Sequence, residues 1–139
     1  MSKMFTTELK CPHCKNIQKV EIWESINVTL DPELKAKLFD NKINLFNCGE
    51  CKKEAFVEAP LLYHDMDRKF CVQYYPTEYL EHKDFYHQFT MDGEISMSDM
   101  PEVFADAVTY MSKPHIVFDM NEMIRYVMFR DRLAGLANT

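Results

Sequence analysis

Apolar residues along this chain recur at two spacings, and each spacing predicts an element. Residues 4–10 alternate weakly and read as a short strand. From Ile17 to Leu30, the positions Val20, Ile22, Ile26, Val28 and Leu30 keep a period of two with Trp23 on the opposite face, the pattern of a long strand or a bent pair. Asp31-Pro32 then offers an N-cap followed by proline in the first helical turn, and Leu34, Leu38 and Phe39 fall near one face of a short helix that Asn41 ends. Ile43 to Asn47 reads as a strand. Residues 54–63 and 69–75 read as two more, joined by a polar turn from His64 to Arg68, with Pro60 marking a bulge or an edge.

Farther along, Thr77 caps a turn of helix, and the alternation of Phe85, His87, Phe89 and Met91 into Asp92-Gly93 predicts a hairpin. Met100, Val103, Phe104, Ala107, Val108 and Met111 hold helical spacing, which predicts a helix over 100–112 that Pro114 stops. A strand over 116–118 comes next. Asp119 with Glu122 makes a capping-box start for a last helix running to Ala134, with Gly135 as its C-cap.

Composition narrows the function classes. Hydrophobic residues make up 47% of 139 residues, enough for a core. The three glycines, Gly49, Gly93 and Gly135, form no phosphate-cradling loop. No apolar run has signal-peptide or membrane-spanning length, so the expectation is a soluble, cytoplasmic protein with no membrane partner. The net charge of -6 belongs to residues 61–139, where acids outnumber bases thirteen to seven, which disfavours nucleic-acid binding by that half.

The chemistry concentrates in Cys11-Pro12-His13-Cys14 and Cys48-Gly49-Glu50-Cys51. Each pair presents two thiolates along one edge of a tetrahedron. Together Cys11, Cys14, Cys48 and Cys51 close a four-sulfur site suited to a structural Zn2+, with no position left for substrate. Two other readings compete. Cys-Pro-His-Cys alone is the tetrapeptide of strongly oxidising thiol oxidases, but a strand-like stretch comes after Cys14 where that chemistry needs a helix N-terminus. Two structural disulfides would need an oxidising compartment. The 33 residues from Lys15 to Asn47 exceed a minimal ribbon's spacing and hold a strand, a short helix and a returning strand. The expected fold is therefore α+β. Residues 1–76 would form a zinc-ribbon-like antiparallel unit with an inserted short helix, and residues 77–139 a hairpin and a helix-strand-helix unit packed on it. Lone Cys71, between Phe70 and Val72, reads as a small buried residue.

These knuckles, with Trp23-Glu24-Ser25-Ile26-Asn27-Val28-Thr29-Leu30-Asp31-Pro32-Glu33-Leu34 and Pro60-Leu61-Leu62-Tyr63-His64-Asp65, resemble the CpXC family of small bacterial and archaeal proteins. Gly49 departs from that pattern, standing where the second knuckle has proline. Lys15 and Lys52 stand where ribbons often have glycine, so Asn16 or Lys53 is expected to take the unusual backbone angles. The resemblance implies a fold and a metal; it implies no activity.

The residues support three functions. A non-catalytic module binding a protein partner suits the closed metal site and the eight methionines between Met66 and Met128, although the placement of Met100, Met111, Met120, Met123 and Met128 in helical segments favours core filling for these. A hydrolase-like centre would draw on Tyr63, His64, Asp65 and Asp67, with His82 or His87 as later partners. Nucleic-acid binding would use Lys10, Lys15, Lys19, Lys52 and Lys53 around the knuckles, lysines that also offset the charge of four thiolates.

Overall fold

The computed structural model describes residues 2–95, 110, 111 and 113–137. The chain is a mixed α+β protein. A five-stranded sheet runs in the order β1 (Lys3–Lys10), β2 (Ile17–Asn27), β5 (Leu61–Asp65), β6 (Phe70–Tyr74), β7 (His115–Val117). β3 (Leu45–Asn47) and β4 (Glu54–Phe56) form a separate antiparallel hairpin. Among the described residues, two α-helices are seen end to end, α1 (Glu33–Phe39) and α2 (Met120–Ala137).

The large sheet is not wholly antiparallel, as the ribbon reading supposed. β2 runs parallel to β5, and β6 runs parallel to β7. Parallel neighbours need a long crossover, and the first of these carries α1 and the β3-β4 hairpin. α1 and α2 cover one face of the sheet. Leu34, Leu38, Met123 and Val127 meet Ile26, Leu61, Tyr63, Val72, Tyr74 and Val117 there. Each such fully buried apolar side chain contributes about 1.5–3 kcal/mol.

Trp23 joins this core, contrary to the expectation that it faces away from Ile26. The pairing with β1 jumps from Met4 with Trp23 to Lys3 with Ser25, so Glu24 is an extra residue that shifts the phase of alternation. The single strand expected over 54–63 is two strands in two sheets. Its break spans 57–60, ending at Pro60, which has no N–H to give to a ladder. His64 and Asp65 lie within β5, not in the turn, which begins at Met66; Thr29 Oγ1 accepts the turn's Met66 and Asp67 N–H groups.

Capping explains the helix ends. α1 begins at Glu33, one residue after Pro32, with no side-chain cap. It ends in a Schellman motif: Asn41 takes φ 59°, its N–H bonds to Leu38 O, and Lys42 N–H reaches Lys37 O. Asp119 caps α2 through Asn121 N–H at 2.7 Å, whereas Glu122 pairs with Arg125. Gly135 does not end α2, which stays helical to Ala137.

The alternation of Phe85, His87 and Phe89 is not a strand. Thr77–Glu81 and Lys83–Gln88 are consecutive 3₁₀ segments, and among the described residues of this stretch only Phe89 and Ile95 bridge, across a turn at Gly93, which has φ 82°. The helix expected over 100–112 lies outside the described residues except at Tyr110 and Met111, which are helical.

Candidate metal centre

The two knuckles are the six-residue loops of two hairpins. Residues 11–16 join β1 to β2, and residues 48–53 join β3 to β4. Their hydrogen bonds match. Cys11 N–H bonds to Asn16 O at 2.8 Å and Lys15 N–H to Cys11 O at 2.9 Å; Cys48 N–H bonds to Lys53 O at 3.0 Å and Lys52 N–H to Cys48 O at 3.0 Å. Lys15 and Lys52 adopt φ 65° and 63°. The unusual angles therefore fall on the lysines themselves, not on Asn16 or Lys53; the left-handed turn at each lysine brings the next residue's carbonyl back to the cysteine N–H. Gly49 has no such angle, and a Cβ there would meet nothing closer than Gln18 Oε1 at 3.8 Å.

Two side-chain amides hold the second loop against β2. Gln18 donates to Asn47 O at 2.8 Å and accepts from Gly49 N–H at 2.9 Å. Asn44 accepts from Trp23 N–H at 2.7 Å and donates to Trp23 O at 3.0 Å. Each amide reads the neighbouring backbone as a strand would. Beneath the knuckles Cys11, Phe46 and Cys48 form a small buried cluster with Leu9, Val20 and Val57 around it.

This scaffold brings the four cysteine sulfurs within 4.8 Å of one another. Across the two loops, Cys11 Sγ lies 3.6 Å from Cys51 Sγ, and Cys14 Sγ lies 3.4 Å from Cys48 Sγ. A tetrahedral site with metal–sulfur bonds of about 2.3 Å has sulfurs about 3.8 Å apart. The cage therefore fits one tetrahedral, thiolate-preferring ion. All four cysteines, and Cys71, are free thiols. The chain leaves Cys14 into β2, so no helix dipole acts on the first pair.

The sulfurs are not equivalent. The backbone N–H of Cys14 pulls Cys11 down to about 6 against the effect of burial. Cys48 is lowered chiefly by the N–H of Cys51. For Cys14 the N–H of Asn16 pulls downward, but the sulfur of Cys48, burial and the other two sulfurs outweigh it and push the thiol up to about 12. Neighbouring sulfurs cannot all ionise together without a cation, and a bound cation displaces the remaining protons. Lys52 folds its ammonium back onto Gly49 O at 2.9 Å.

The hydrolase-like set does not converge. Successive residues of β5 point to opposite faces. Tyr63 enters the core beside Phe70, whereas His64 points to the other face and meets Tyr110, with 2.5 Å from Nε2 to the hydroxyl. Asp65 accepts from Arg68 N–H at 3.0 Å, closing the hairpin turn, and Asp67 is exposed. His87 lies 3.8 Å from Asp84, and His115 stacks on Tyr126 at 3.8 Å between ring centroids. Burial lowers the His64 pKa and raises that of Cys71, its cross-strand neighbour, to about 11. Cys71 is thus a small buried residue, as expected, on the face that His64 shares with Tyr110.

Fold and cage together define a class: a mixed α+β protein built on a four-cysteine knuckle, in which two hairpin loops bring four sulfurs close enough to bind one metal ion. Within that class the chain belongs to the CpXC family, whose model, described as CpXC protein, matches residues 9–136. No curated protein and no solved structure matches the chain. Among the described residues no helix is long and apolar enough to cross a membrane.

The site's supporting residues left weak traces in the sequence. Gln18 and Asn44 act through side-chain amides on backbone, which no periodicity announces, and Tyr110 meets His64 across 46 positions.

Proposed function

We propose that Cys11, Cys14, Cys48 and Cys51 hold a structural Zn2+ and that the protein is a non-catalytic module that binds a protein partner. The observation that carries the metal reading is the cage of four sulfurs within 4.8 Å, presented by two loops with matched hydrogen bonds. Four thiolates complete a tetrahedral shell and leave no open position for a reacting group. Zinc suits an all-thiolate tetrahedral shell and brings no redox chemistry to it. Apolar side chains left on the surface support the partner reading: Met66, Met91 and Met128 are exposed, whereas Met123 is core and Met120 half-buried. Met97 and Met100 lie outside the described residues.

The test is metal analysis of native protein, paired with its mass under denaturing, non-reducing conditions. One zinc per chain with all five cysteines free is the expected result. No metal together with a mass deficit from one or two disulfides would overturn the reading and return the first pair to redox chemistry.

A further inference from the structure

Away from the cage, the two 3₁₀ segments roof a groove of about 660 Å³ against the end of the sheet. Its floor is Ile116 of β7 and Phe118, and its walls include Leu80, Tyr86, Phe89 and Met91. The groove is preformed. Phe85 sits at the hub of an edge-to-face cluster, with ring centroids 4.7 Å from Tyr75, 5.1 Å from Phe89 and 5.6 Å from Tyr79. Geometry of this kind fixes ring positions before any ligand arrives. The rims are left wet: Leu80 and Tyr86 are about half exposed and Met91 is fully exposed.

Charge along the segment that carries the groove is predominantly negative. Between Thr77 and Glu94 stand five acids, Glu78, Glu81, Asp84, Asp92 and Glu94, against one lysine, Lys83. Glu94 pairs with Lys113 at 3.6 Å and Asp84 approaches His87. Among the described residues Glu78, Glu81 and Asp92 have no cationic partner. Glu81 follows the lining residue Leu80 in the chain, and Asp92 stands between the lining residues Met91 and Gly93; an apolar trough with such carboxylates next to its lining in the chain selects a ligand with apolar anchors and positive flanks.

We infer that this groove is the docking site for a basic amphipathic segment of the protein partner, its apolar side chains entering between Leu80, Phe89 and Met91 and its Lys or Arg residues facing Glu81 and Asp92. This deepens the partner-binding reading and rests on it, but not on the metal, since no groove residue belongs to the cysteine loops.

The probe is a fluorescently labelled helical peptide of about four turns, built from leucine and lysine with one apolar face; the control peptide carries glutamate in place of lysine. Anisotropy titrations on the full, metal-analysed chain are expected to show saturable binding of the lysine peptide and at least about tenfold weaker binding of the glutamate peptide. Met91→Glu changes a fully exposed side chain and leaves the core intact, and it is expected to weaken binding by about tenfold or more. Glu81→Lys with Asp92→Lys is expected to weaken binding and flatten its salt dependence.

No binding, or equal binding of both peptides, would overturn the inference. Binding lost in Phe129→Ser, on the exposed face of α2, but kept in Met91→Glu would overturn the groove while leaving partner binding standing. Concentration-dependent self-association abolished by Met91→Glu would assign the groove to a second copy of the chain and overturn the partner assignment.

Discussion

Asn44 is the residue on which the second hairpin hangs, and its replacement gives a worked magnitude. The side chain is buried and makes two hydrogen bonds to the backbone of Trp23, at 2.7 and 3.0 Å. Asn44→Ala removes both, each worth about 1 kcal/mol net, and strips partners from an N–H and a C=O beside the core. It also forces alanine into φ 56°, a left-handed angle that asparagine tolerates and alanine resists by about 1 kcal/mol. Because Trp23 is only half-buried, water recovers part of the loss, and the expected destabilisation is about 3 kcal/mol. With a urea slope of about 2 kcal/mol per molar, the unfolding midpoint falls by about 1.5 M. Asn44→Asp keeps the acceptor for Trp23 N–H but sets a carboxylate oxygen against Trp23 O, so it loses more than half as much. Asn44→Gly loses the same bonds without the angle and falls between wild type and alanine. Urea titration at saturating zinc, read by fluorescence, is well placed to track this, because Trp23 is the chain's one tryptophan. A midpoint moved by less than about 0.3 M in Asn44→Ala, or an aspartate variant as stable as wild type, would refute the account.

Other perturbations test other parts. Cys14→Ser is expected to abolish zinc binding and leave the hairpin loops unfolded or the protein insoluble; a soluble variant with native circular dichroism and no metal would contradict this. Lys52→Gly relieves a left-handed lysine and should raise thermal stability by about 0.5–1 kcal/mol, whereas Gly49→Ala, with room for its Cβ, should change little. Asp131 receives Lys35 at 2.9 Å and Arg68 at 2.5 Å, tying α1 and the β5-β6 turn to α2; Asp131→Ala should cost about 1 kcal/mol by chemical denaturation, and less at high salt. His64 has its pKa lowered by burial, so the unfolded chain takes up its proton first. Its contribution is complete above an unfolded value near 6.5 and is lost as pH falls from there towards the lower folded value. His64→Gln should make the acid side of the stability profile shallower by that difference; an unchanged slope would exclude His64 as a source.

Local chemistry is legible in the residues alone. The cysteine spacing names the four sulfurs, and the strand, helix and returning strand between them stand as β2, α1 and β3. Asn41 is recognisable as a helix stop because its side chain suits a left-handed angle. The features that escape depend on long-range partners or on small phase shifts. The bulge at Glu24 turns Trp23 to the other face, and no single position announces such an insertion. Alternation at Phe85, His87 and Phe89 mimics a strand, but in the 3₁₀ run only Phe85 is buried, Phe89 four residues on packs against its ring, and His87 between them is exposed. His64 and Asp65 look like turn residues because they are polar; tertiary burial claims both, one for Tyr110 and one for the turn beyond. Parallel pairing is invisible locally, since β2 and β5 meet only after α1 and the second knuckle have intervened.

That crossover has a kinetic consequence. Ser25 and Leu62 must meet across a long stretch of chain before β2 and β5 can pair, and closing so wide a loop is what slows folding in non-local topologies. An ion bound as proposed by Cys11, Cys14, Cys48 and Cys51 would perform most of that closure in advance: once the knuckles are joined, only the short span from Cys51 to Leu61 remains to be laid down beside β2. With an ion bound as proposed, the cage would set how quickly the helix-covered core can assemble, and a chain starved of metal would spend longer with the β5-β6 hairpin not yet paired to β2 and exposed to other chains.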